Sequence, residues 1–87
     1  LQALTRDFAF LVPDGLAAGE IVRAVRGADK QAIVEARVFD VFAGQGVPEG
    51  FKSVAVEVTL QPGEKSFTDA ELKALADRVV SAAARVG

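Results

Sequence analysis

Hydrophobic and polar positions alternate from Thr5 to Val12, with Phe8, Phe10 and Val12 on one side and Asp7, Ala9 and Leu11 on the other. A period of two is that of a strand lying across a core. Pro13-Asp14-Gly15 ends the run with turn chemistry. From Ala17 to about Gly27 the period lengthens: Ala17, Ile21, Ala24 and Val25 recur at helical spacing while Glu20, Arg23 and Arg26 fall elsewhere, which predicts a short amphipathic helix. Ile33 to Phe42 alternates again and is rich in β-branched and aromatic residues, so it predicts a second strand, less clean in polarity than the first.

The glycines and proline of Ala43 to Gly50 predict a loop, and Lys52 to Leu60 a third strand with Val54, Val56, Val58 and Leu60 on one face. The second and third strands then form a long-looped hairpin. After Gln61-Pro62-Gly63, Thr68 and Glu71 have the spacing of a capping box, in which the hydroxyl accepts from one amide and the carboxylate reaches back to another. The apolar stripe Leu72, Leu75, Ala76, Val79, Val80, Ala83 and Val86 carries a second helix nearly to the end of the chain. The order β-α-β-β-α belongs to the α+β class and is one strand short of the ferredoxin-like β-α-β-β-α-β sandwich, with an antiparallel sheet and two helices on one face.

That architecture leaves the other sheet face bare. Strand parity assigns to it Asp7, Ala9 and Leu11, then Val38, Asp40 and Phe42, then Ser53, Ala55, Glu57 and Thr59. A lone aromatic among small and polar residues is how RNA-binding sheets are furnished, the ring stacking on a base while nearby carboxylates and hydroxyls read base edges. The same pattern is met if Phe42 packs under the loop that follows it and Asp40 only solvates the sheet.

Composition narrows the chemistry. At 87 residues and 51% hydrophobic, the chain holds one domain, residues 1–87, with a single modest core. Cysteine and histidine are absent, which removes disulfides, thiolate metal sites, the usual zinc ligand and the commonest general base. No nucleophile, base and orienting group stand at catalytic spacing, so no catalytic residue and no metal ligand is expected. No apolar run approaches the length of a membrane span, and a soluble domain is expected. The start at Leu1 without an initiator reads as a fragment of a longer chain. The net charge of −2 stands against a self-sufficient RNA binder, which is typically basic.

Arg6-Asp7-Phe8-Ala9, Val38-Phe39-Asp40-Val41-Phe42 with Gly44 and Gly46, Pro48-Glu49-Gly50 with Lys52-Ser53-Val54-Ala55, and Ser66-Phe67-Thr68-Asp69 with Glu71 follow one another along nearly the whole chain. Together they resemble the ferredoxin-fold anticodon-binding domain at the C-terminal end of bacterial phenylalanyl-tRNA synthetase β subunits. The resemblance implies a non-catalytic module that contacts the anticodon loop of tRNA-Phe during phenylalanine-tRNA ligation. It implies as partners the rest of the β subunit and the α subunit of a cytoplasmic α2β2 assembly. ATP and Mg²⁺ serve the parent enzyme, and no cofactor belongs to this domain. By the same resemblance, Phe42 stacks on the first anticodon base, with Asp40, Ser53 and Ala9 beside it.

The family usually has tyrosine at the position of Phe42, so here the ring is kept without its hydroxyl. Ala43 and Gln45 stand where relatives are often basic, and Phe51 where they are often polar. Phe51 either meets RNA or packs on the hairpin. Arg6 and Lys52 flank the proposed site and either contact phosphates or, respectively, pair with Asp7 or Asp40 and end a strand in solvent. A ferredoxin-like protein-interaction or small-molecule regulatory module is the alternative that the fold alone leaves standing.

Overall fold

The computed structural model describes residues 1–87, with β1 over Leu4–Pro13, α1 over Ala18–Arg26, β2 over Ile33–Phe42, β3 over Phe51–Leu60 and α2 over Asp69–Val86. The sheet order is β1-β3-β2, and both neighbours run antiparallel to β3. β1 and β2 are therefore parallel to each other with β3 inserted between them, the split β-α-β arrangement of a ferredoxin-like fold. The sixth element of that unit has no counterpart in these residues.

The core forms on one face only. Val54, Val56, Val58 and Leu60 of β3 are buried beneath Ile21 and Val25 of α1 and Leu75, Val79 and Ala83 of α2, with Val12, Ile33 and Ala36 at the flanks. No polar or charged side chain is buried, so the core demands no internal hydrogen-bond partners. Phe8 and Phe10 stack at 6.0 Å between ring centroids and close the β1 side.

Both expected helices form, with shifted stripes. The capping box of α2 is complete: Glu71 N–H donates to Thr68 Oγ1 at 3.1 Å, and Thr68 N–H donates to Glu71 Oε1 at 2.9 Å. In α2 the buried line is Leu75, Val79, Ala82 and Ala83, whereas Val80 and Val86 are exposed. Val80 lies about 100° around the helix from Val79, past the edge of the packed stripe. Ala17 precedes α1 as its exposed N-cap and is not part of the apolar face.

β2 departs from simple alternation twice. Register shifts between Ile33 and Glu35 and between Val38 and Asp40 leave Val34 and Phe39 as extra residues of β-bulges. Each bulge reverses which side subsequent residues face. Between them Val38 is opposite the fully buried Val56 and packs against the core, so its assignment to the bare face is corrected. The second bulge reverses parity again, and Asp40 and Phe42 return to the side that unbroken alternation gives them.

The turn from α1 to β2 is tied to α2 through Asp29. Its carboxylate accepts from the amides of Ala32 (3.0 Å) and Gln31 (3.1 Å) and from the Arg78 guanidinium (2.9 Å). The Ala32 amide is the main cause that holds its carboxyl below its ordinary value of 3.8, with partial desolvation opposing. A depressed folded-state value stabilises the fold above the unfolded value, and that contribution disappears as pH falls through the folded one.

Two measurements check this account. Thr68→Ala lowers unfolding stability in urea by about 1 kcal/mol, the usual cost of losing a side-chain cap. Asp29→Asn lowers stability at pH 7, and its difference from the parent protein closes as pH falls below 3.8; a difference that persists in acid assigns the loss to packing rather than charge.

Candidate nucleic-acid interface

Because every helix lies on one side, the other face of the sheet is open, and the ladder register arranges its side chains in rows. Phe42, Ser53 and Leu11 form one row across β2, β3 and β1. Asp40, Ala55 and Ala9 form the next, then Arg37, Glu57 and Asp7, then Glu35, Thr59 and Thr5. Neighbouring strands lie about 4.8 Å apart, and successive same-face residues about 6.6 Å apart along a strand. The four residues expected to act together, Ala9, Asp40, Phe42 and Ser53, thus occupy two adjacent rows within one patch about 12 Å across.

Phe42 is 47% exposed. Its ring is neither sandwiched between helices and sheet nor closed off by the loop after it, in which Gly44, Gly46 and Gly50 have positive φ values open to glycine. Neither the Asp40 carboxylate nor the Ser53 hydroxyl makes a hydrogen bond or ion pair within the chain. Ala9 and Ala55 keep the surface beside Asp40 low. A flat ligand laid on Phe42 would meet an acceptor-only carboxylate, a hydroxyl that can donate or accept, and no obstructing bulk.

Leu11 and Glu57 lie on this face as strand parity gives them, and Glu35 and Arg37 join it unanticipated. Leu11 and Phe51 are exposed beside Phe42, Leu11 in its row and Phe51 opposite Pro13 one step beyond, and they widen the apolar end of the patch. Arg37 Nε donates to Glu57 Oε1 at 3.1 Å, and its guanidinium carbon lies 6.0 Å from the Phe39 ring centroid. The first bulge places Glu35 and Arg37 on this face, a displacement that alternation along β2 does not signal.

Arg6 and Lys52 are not brought to the patch. Arg6 is opposite Val58 and lies beside Leu72, Leu75 and Val79 of α2, while Lys52 is opposite the buried Val12. Both have core-side parity. Arg6 donates to the Thr5 carbonyl at 2.9 Å rather than to Asp7 or Asp40. The open face therefore carries four carboxylates, Asp7, Glu35, Asp40 and Glu57, against one guanidinium.

The model of the ferredoxin-fold anticodon-binding domain matches residues 1–86. The phenylalanine–tRNA ligase beta subunit of Novosphingobium aromaticivorans is 68% identical over 87 residues, which are all of this chain and 11% of that protein. The same subunit of Zymomonas mobilis is 58% identical over the same coverage, and that of Brucella abortus 48% over 97% of this chain and 10% of that protein. The chain thus spans 11% of the first of these relatives.

If the open face is a surface rather than a covered core, Phe42→Ala changes unfolding stability by no more than about 0.5 kcal/mol, the range of surface substitutions. Denaturant titration of both proteins decides it, and a loss of several kcal/mol would mean that the ring packs in the interior.

Proposed function

The chain belongs to the ferredoxin-fold anticodon-binding domain family, and from that premise we propose that its open sheet face receives the anticodon loop of tRNA-Phe within a phenylalanine–tRNA ligase β subunit. The observation that carries this reading is the convergence of Phe42, Asp40 and Ala9, all exposed, with the half-buried Ser53 in two adjacent rows whose polar groups are unpartnered.

Phe42 supplies the stacking surface, worth about 1–3 kcal/mol per base. Asp40 accepts hydrogen bonds only, so the base edge beside it must present N–H donors, and Ser53 adapts to either sense. Ala9 leaves room for the base plane. Without a tyrosine hydroxyl at position 42, recognition by that side chain is stacking alone. The carboxylates of the face repel phosphates, which favours an RNA loop presented bases inward and backbone outward. Domain charge of −2 fits a module that discriminates locally while the rest of the synthetase supplies most of the affinity.

Under this reading the chain performs no bond-making. Activation of phenylalanine with ATP and Mg²⁺ and its transfer to tRNA belong to the α subunit of a cytoplasmic α2β2 ligase, and this domain holds no cofactor.

In the intact ligase, Phe42→Ala weakens tRNA-Phe binding and charging roughly 5- to 150-fold, corresponding to about 1–3 kcal/mol of stacking, and leaves phenylalanine-dependent pyrophosphate exchange unchanged. Unaltered charging sinks the proposal. Unaltered charging together with lost self-association identifies the face as a protein-interaction surface instead.

A further inference from the structure

Half of the chain's ten cationic side chains lie around the C-terminal end of α1 and the adjoining part of α2 rather than on the open face: Arg23, Arg26, Lys30, Arg78 and Arg85. Arg23, Arg26 and Lys30 line a groove of about 690 Å³ between α1 and the start of β2, together with Gly19, Gly27 and Val34, and no carboxylate lines it. Arg26 and Lys30 have no acidic partner within 4 Å. Arg23 is bound to Glu20 at 2.9 Å, but the pair is exposed, and such a pair contributes little and exchanges readily.

Helix stability alone does not account for this cluster. Arg23 and Arg26 in the last turn offset the C-terminal dipole of α1, which amounts to about half an elementary charge. Lys30 lies beyond the helix. Asp29, the nearest acid in sequence, spends its carboxylate on Gln31, Ala32 and Arg78. Gly19 is a second sign: a Cβ there would meet nothing within 4 Å, so packing does not require glycine. Gly19 stands in the first turn of α1, where it leaves the groove wall low enough for a polymer backbone to approach.

β2 is an edge strand shared by both surfaces, with Phe42 at one end of its open face and the groove beside Ile33 and Val34 at the other. At about 3.3 Å per residue the two ends are roughly 30 Å apart, so RNA held at Phe42 meets the groove only with backbone that leads away from the loop. Phosphates repelled by the carboxylates of the open face meet free cations across this edge.

We propose that the α1–β2 groove is a second contact for the same RNA, holding sugar-phosphate backbone of the stem while the sheet face holds the loop. The inference rests on the function proposed above, and Arg26 and Lys30 bind the phosphates, with Arg23 released from Glu20 to assist.

The test is tRNA-Phe binding by the intact ligase across a salt series, for the parent enzyme, the double variant Arg26→Ala/Lys30→Ala, and Phe42→Ala. Loss of two phosphate contacts reduces the slope of log affinity against log salt by about 1.4–1.8, so the parent's advantage over the double variant shrinks about tenfold between about 50 and about 200 mM salt. Phe42→Ala weakens binding with the slope unchanged. Phosphate-ethylation interference in the stem, seen with the parent enzyme and lost in the double variant, supports the same assignment. A double variant with parental affinity and slope overturns the groove contact while a weakened Phe42→Ala leaves the loop reading standing; parental behaviour in both variants overturns both.

Discussion

The structure depends on the row of Val54, Val56, Val58 and Leu60 along the central strand, all pointing to one side. Full burial of one such side chain contributes about 1.5–3 kcal/mol, and a three-stranded sheet has no other comparable source of stability. Both helices are consequently drawn to the same face. What they leave behind is a surface whose backbone is held rigid by the strand most deeply set in the core, but whose side chains carry almost none of the packing. Function can vary on that surface without a matching cost in stability.

The two bulges in β2 are the local device that furnishes it. One extra residue at Val34 turns Glu35 and Arg37 outward and Ala36 and Val38 inward; another at Phe39 restores the original sense for Asp40 and Phe42. The core thereby gains Ala36 and Val38, and the open face gains an ion pair between Arg37 and Glu57 that occupies its middle. The unpartnered acceptors and the exposed ring are left at the hairpin end.

Charge is divided along the same line. Carboxylates outnumber cations on the sheet face, while Arg26 and Lys30 stand free on the helix side, separated from it by a single edge strand. A polyanion meeting this domain finds attraction only at its periphery and, on the sheet, groups suited to bases rather than phosphates. The small net charge conceals this separation, which is why total charge argues against RNA binding while the distribution of charge fits it.

Local chemistry made much of this readable in the sequence. Alternation in β1 and β3, the Thr68–Glu71 capping box and the apolar spacing of α1 each follow from interactions within a few residues, and they specify the elements, their order and the bare face with Ala9, Asp40, Phe42 and Ser53 upon it. Alternation in β1 and β3 also puts Arg6 and Lys52 on the core side, away from that patch. Tertiary structure decided the rest: the inward turn of Val38, the outward turn of Glu35 and Arg37, and the exposure of Val80. A bulge is chosen by pairing with a partner strand some twenty residues away, and the edge of a buried stripe by the helix packed against it, so neither leaves a mark in the spacing of neighbouring residues.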